Sequence, residues 1–136
     1  MQIDNRVVIV TLVALLVYFW TSTRVAAMRG KHGIVAPAVT GAPEFERAYR
    51  VQLNTLEWLP LFLPSLWLFA WYWNGAVAAV IGLIWILARI YYAVSYVKEP
   101  AKRGPGFGVQ AAATGILLFG ALGKALYLAV TGDQPA

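Results

Sequence analysis

The chain has 136 residues, of which 60% are hydrophobic and only 12% charged, with a mean hydropathy of +0.65; this excludes an ordinary soluble domain and describes an integral membrane protein. Eleven Lys and Arg against six Asp and Glu give a net charge of +5, and the absence of cysteine excludes disulfides and any thiol nucleophile of the chain's own. Thiol chemistry, if there is any, must arrive with a ligand.

The first apolar run predicts a helix over roughly residues 5–28. Arg6 ahead of it and the small residues of VAAM after it resemble a secretory signal, but the run continues through Tyr18, Phe19 and Trp20 as an interfacial aromatic belt, and three more spans follow. GKHGIVAPAVTGAP (30–43) is a loop by its glycines and prolines. Helix two, roughly 43–73, starts at Thr40 or in the Gly41-Ala42-Pro43 run, with Glu44 and Glu46 placed to suit the helix dipole. Pro60 and Pro64 predict a kink, and Asn74-Gly75 a tight turn into helix three, roughly 76–98. EPAKRGPG (99–106) is a second loop. Helix four, roughly 107–131, carries small residues at Gly108, Ala112, Gly115, Gly120, Ala121 and Ala125, which favour close helix packing. The fold class is therefore all-α, a single four-helix transmembrane domain over 1–136.

Arg24, Arg29, Lys31, Arg47, Arg50, Lys98, Lys102 and Arg103 flank the first and third connections, whereas the Asn74-Gly75 turn has no charge. The basic residues thus report topology rather than nucleic acid: loops 29–43 and 98–106 are expected in the cytoplasm and both termini opposite.

The 31 residues from Trp58 to Ala88 are uncharged and must supply both arms of the hairpin. Without the turn that leaves roughly 14 residues an arm, about 21 Å against a hydrocarbon core of about 30 Å. Glu57, Arg89 and Asn54 are therefore drawn to membrane depth, where ionisable groups are costly unless paired or facing a watery cavity. At about 100° per residue, Arg47, Arg50, Asn54 and Glu57 fall within roughly 80° on one face of helix two, and Arg89, Tyr92 and Tyr96 within about 60° on helix three. Both stripes lie towards the cytoplasmic ends, so a polar cleft between antiparallel helices is expected. Arginines suit carboxylates, a carboxylate suits an amine, and an amide and phenols suit a peptide backbone. The plainer alternative makes Glu46–Arg50 and Glu57–Arg89 structural ion pairs and the tyrosines an interfacial belt. His32, glycine-flanked and without a neighbouring acid, reads as a solvated loop residue. One histidine, no cysteine and carboxylates interspersed with arginines support no metal site, and no Ser-His-Asp set, phosphate loop or dinucleotide fingerprint is present.

GAPEFERAYRVQLNTLEWLPLF (41–62) resembles the signature of the MAPEG family, the membrane-associated proteins of eicosanoid and glutathione metabolism. LIWILARIYYAVSYVKEPAKRGPGF (83–107) and WYWN (71–74) extend the resemblance over essentially the whole chain, towards its microsomal glutathione transferase and leukotriene-forming branches. The resemblance implies a homotrimer of four-helix protomers with glutathione bound between protomers near the cytoplasmic face. It further implies that Arg50, Asn54 and Glu57 contact glutathione, that Gln52 reaches the site from the adjacent subunit, and that Arg29 contacts the ligand's carboxylates. Tyr92 and Tyr96 match the helix-three tyrosines, and Arg103 the arginine that activates the thiol. The implied activity is transfer of glutathione to a hydrophobic electrophile, or reduction of a lipid hydroperoxide; a non-enzymatic lipid-binding member is the alternative. Asn54-Thr55 stands where the family commonly has Asn-Cys. Trp58 and Gly30 replace a tyrosine and an arginine of the leukotriene-forming branch, with Lys31 as a shifted charge. A small transporter or channel fits poorly, since spans one and four offer almost no polar lining.

Overall fold

A computed structural model describes residues 3–133 as four helices: α1 (Asn5–His32), α2 (Pro43–Tyr72), α3 (Gly75–Lys98) and α4 (Gly104–Thr131), with a 3-10 turn over Pro100–Arg103. No strand occurs among the described residues. The Asp4 side chain starts α1 by accepting the Arg6 amide at 2.9 Å, and its other oxygen pairs with the Arg6 guanidinium at 2.9 Å. That guanidinium holds the Asp4 carboxyl below its ordinary range.

Two boundaries differ from expectation. α1 runs on through Gly30, Lys31 and His32 and stops only at Gly33, whose φ of 65° is left-handed and whose N–H closes on the Arg29 carbonyl. A lone glycine costs a helix about 1 kcal/mol, which neighbouring turns absorb, whereas the left-handed residue ends it. α4 begins at Gly104 because Pro105 falls in its first turn, where a missing N–H costs nothing. The second loop thus contracts to Glu99 and one 3-10 turn.

The extension of α1 revises His32. It ends a helix, and its Nε2 lies 3.7 Å from a Glu44 carboxylate oxygen that Lys31 Nζ meets at 3.0 Å. An acid absent from the local sequence is supplied by the start of α2. These contacts, the Lys31 hydrogen bond foremost, depress the exposed Glu44 carboxyl, so its tie to α1 holds above the ordinary carboxylate pKa and is lost as pH falls through the lower, folded value. α2 starts at Pro43 without a side-chain cap on Ala42; Glu46 instead reaches back to accept the Gly41 N–H at 3.1 Å. α2 then continues as unbroken helix through Pro60 and Pro64. Asn74 caps α3 by accepting the Val77 amide at 3.0 Å.

α2 and α3 form the central pair; α1 and α4 each pack against both and lie on opposite sides of it. The main core joins Val7, Ala14, Leu59, Phe62, Leu66, Trp85 and Leu117, with Phe62 and Trp85 stacked at 4.0 Å and 3°. α1, α3 and the turn-plus-α4 segment are long and apolar enough to cross a membrane. α2 falls outside that description despite its 30 residues, since its prolines, tryptophans and charged first half dilute its apolar content. The chain is an integral membrane helical bundle, and the antiparallel order puts both basic connections at one end.

Candidate active site

The predicted stripes meet at that end. Arg50, Asn54, Tyr92, Tyr96, Arg103 and Phe107 line a cleft of about 500 Å³ between α2, α3 and the start of α4. A neighbouring cleft of about 450 Å³, lined by Glu46, Arg47, Tyr49 and Leu53, shares Arg50 and Tyr96 with it. Helical period explains the convergence: positions i and i+4 face one way, and antiparallel neighbours bring residues near the same ends to one depth.

The aromatic wall is continuous. Tyr92 and Tyr96 stack at 5.6 Å, Phe107 lies 6.0 Å from Tyr92, and Trp58 meets Phe107 edge-on at 5.5 Å. The 3-10 turn carries Arg103 over this wall, its guanidinium carbon 5.3 Å from the Tyr96 ring centre. Phe107 was not singled out from the sequence; its spacing of four residues from Arg103 is the signal that could have found it.

Arg89 turns into the bundle, 1% exposed. Its Nη1 donates to Asn54 Oδ1 at 2.8 Å and its Nη2 to Thr55 Oγ1 at 2.6 Å, while the guanidinium carbon stands 4.5 Å from the Tyr92 ring centre. The alternative ion pairs are therefore not made: Arg89 is bonded to Asn54 and Thr55, and Glu46 caps the Gly41 amide. Thr55, where the family commonly has cysteine, gives its hydroxyl proton to the Val51 carbonyl at 2.7 Å and a lone pair to Arg89.

Three expected site residues stand apart from the cleft. Glu57 is exposed, with no hydrogen bond or ion pair among the described residues. Asn54 and Glu57 are about 60° apart around the helix, and here the first turns to α3 and the second outward. Gln52 Nε2 donates to Ser22 Oγ at 2.9 Å, on the α1 side of α2. Arg29 donates to the Ala38 carbonyl at 2.7 Å and covers the Phe45 ring at 4.8 Å, bracing the first loop.

Two guanidinia, an amide and two phenols beside a water-accessible gap suit an anionic, peptide-like ligand. The MAPEG family model matches residues 7–123. The chain belongs to the MAPEG family. Among curated members it is 44% identical over 114 residues to an uncharacterized protein of Synechocystis, covering 84% of this chain and 83% of that one. It is 41% identical over 103 residues to human microsomal glutathione S-transferase 2, covering 75% and 70% of the two chains. Guinea pig leukotriene C4 synthase is 37% identical over 109 residues, covering 80% and 73%. This MAPEG chain thus stands among glutathione-related membrane enzymes.

Proposed function

We propose that this MAPEG protein is a glutathione transferase with capacity for peroxide reduction, working as a homotrimer with its basic end in the cytoplasm. The observation that carries the reading is the placement of Arg103, Arg50, Asn54, Tyr92 and Tyr96 around one cleft, in a chain akin to a glutathione S-transferase. Arg50 binds a ligand carboxylate, Asn54 and the tyrosines bind its peptide groups, and Arg103 stands by its thiol. A guanidinium is a cation in proteins, and one beside the thiol favours the thiolate, the nucleophilic form. The thiolate forms a carbon–sulfur bond as the electrophile's leaving group departs with its electron pair. With a hydroperoxide it attacks oxygen, the O–O bond breaks and the alkoxide takes a proton; a second glutathione then releases the disulfide and water. Apolar grooves on the flanks, of about 320 Å³ beside Leu87, Tyr91 and Val109 and about 310 Å³ beside Leu16, Trp20 and Ile90, suit a hydrophobic substrate held at the bilayer.

Glu57, Gln52 and Arg29 complete the site across a subunit boundary in this reading, which accounts for an intramembrane-depth carboxylate left on the protomer surface. Glu57→Gln is expected to weaken glutathione binding about tenfold by removing the partner of the ligand's amine. Titration calorimetry on the solubilised protein decides it, and unchanged affinity removes Glu57 from the site.

The same flank grooves favour a second reading, a lipid-binding member without catalysis. Glutathione-dependent turnover of an aryl halide or a lipid hydroperoxide by the purified protein separates the two. Turnover supports the enzyme, and its absence under conditions where the protein is folded overturns it.

A further inference from the structure

Arg89 touches no open part of the cleft, yet it holds two of the cleft's walls. Its guanidinium is 1% exposed, bonds Asn54 at 2.8 Å and Thr55 at 2.6 Å on α2, and lies over the Tyr92 ring of α3 at 4.5 Å. A guanidinium has five donors and no acceptor, so the Asn54 atom that meets it must be the carbonyl oxygen. With that oxygen committed inward, the amide group Asn54 has left for the cleft is the –NH₂. A flip would set two donors against each other beside a buried cation, which the geometry penalises heavily. The Thr55 hydroxyl is committed as well, since its proton goes to the Val51 carbonyl.

We propose that Arg89 is a positioning residue that holds the Asn54 carbonyl oxygen inward and leaves its –NH₂ for the cleft, so that the cleft recognises a carbonyl or carboxylate oxygen of its ligand at this point and discriminates against a ligand donor there. The inference rests on the glutathione reading above and adds the sense of one contact and the residue that enforces it. Arginine rather than lysine is needed because one planar fork must serve two acceptors on adjacent residues of α2.

The test uses the full-length protein in detergent, with glutathione and the thiol-free S-methylglutathione as probes, so that Arg103 and the thiol do not enter the second measurement. Asn54→Asp keeps an oxygen for Arg89 and is expected to melt at or above the temperature of the unaltered protein. It replaces the donor facing the cleft with an acceptor, and the affinity for both probes is expected to fall at least about tenfold. Arg89→Lys is expected to weaken binding several-fold in the unaltered background and to add nothing in an Asn54→Ala background, because its effect runs through Asn54. A purely structural Arg89 would instead give losses that multiply. Asn54→Asp binding both probes as tightly as the unaltered protein, or multiplying losses in the cycle, overturns the inference alone. Failure of the unaltered protein to bind either probe overturns the glutathione reading and the inference with it.

Discussion

Arg103→Ala is expected to lower turnover with a model electrophile about a hundredfold at pH 7 while glutathione still binds. A free thiol with a pKa of about 8.5 is only about 3% ionised at pH 7. Lowering it by two units ionises most of it, so ionisation accounts for about 25-fold. The rest of the expected loss comes from a sulfur no longer held in line with the electrophile. Arg103 is exposed on its turn, so its field is screened until ligand and substrate exclude water; the effect therefore belongs to the filled site. The sign sets the pH profile. The cation favours the charged thiolate and lowers the bound thiol's pKa, and its removal raises it. The deficit of Arg103→Ala should accordingly narrow as pH approaches 9. Thiolate ultraviolet absorbance against pH, in both proteins, is the direct measurement, and identical titrations would remove Arg103 from thiol activation.

Gly106→Val is expected to lower stability by about 1–3 kcal/mol and to weaken glutathione binding together with it. Gly106 is buried in the first turn of α4, and a Cβ there would lie 3.0 Å from the Ala88 carbonyl oxygen, 3.0 Å from the Tyr92 amide and 2.9 Å from the Tyr91 ring. Two of those three neighbours are backbone and cannot swing aside, so α4 must move off α3. Phe107 follows directly in sequence and Arg103 precedes by three residues, so the same movement opens the cleft wall. Gly123→Val is the control, since nothing lies within 4 Å of a Cβ at that position. Equal melting temperatures and equal affinities for the two variants would refute the close approach.

Much of this site was legible before any coordinates, because two simple rules bear on it. A helix must cover about 30 Å of hydrocarbon, which draws Asn54 and Arg89 towards the membrane, and its period sorts polar residues onto faces. Those rules, with no partner specified, place Arg50 and Asn54 on one side of a gap and Tyr92 and Tyr96 on the other, as the cleft has them. Chain ends of helices were less legible. Gly30 looks like a stop and is passed over, whereas Gly33, with its left-handed backbone, is the stop.

The sequence by itself determined an all-helical membrane chain, its tight Asn74-Gly75 turn and the two polar faces, since these follow from composition, local caps and helical period, while the MAPEG family was carried by the motif over residues 41–62. The tertiary structure alone decided which side of each face meets a neighbour. A stripe 80° wide can be divided by the rotation of its helix, and here Asn54 turns to Arg89 while Glu57 is left facing out. It also joined His32 and Lys31 to Glu44 across a loop and committed Thr55 to Arg89. Period gives the direction of a side chain about its own axis; only packing supplies the partner that satisfies a buried charge.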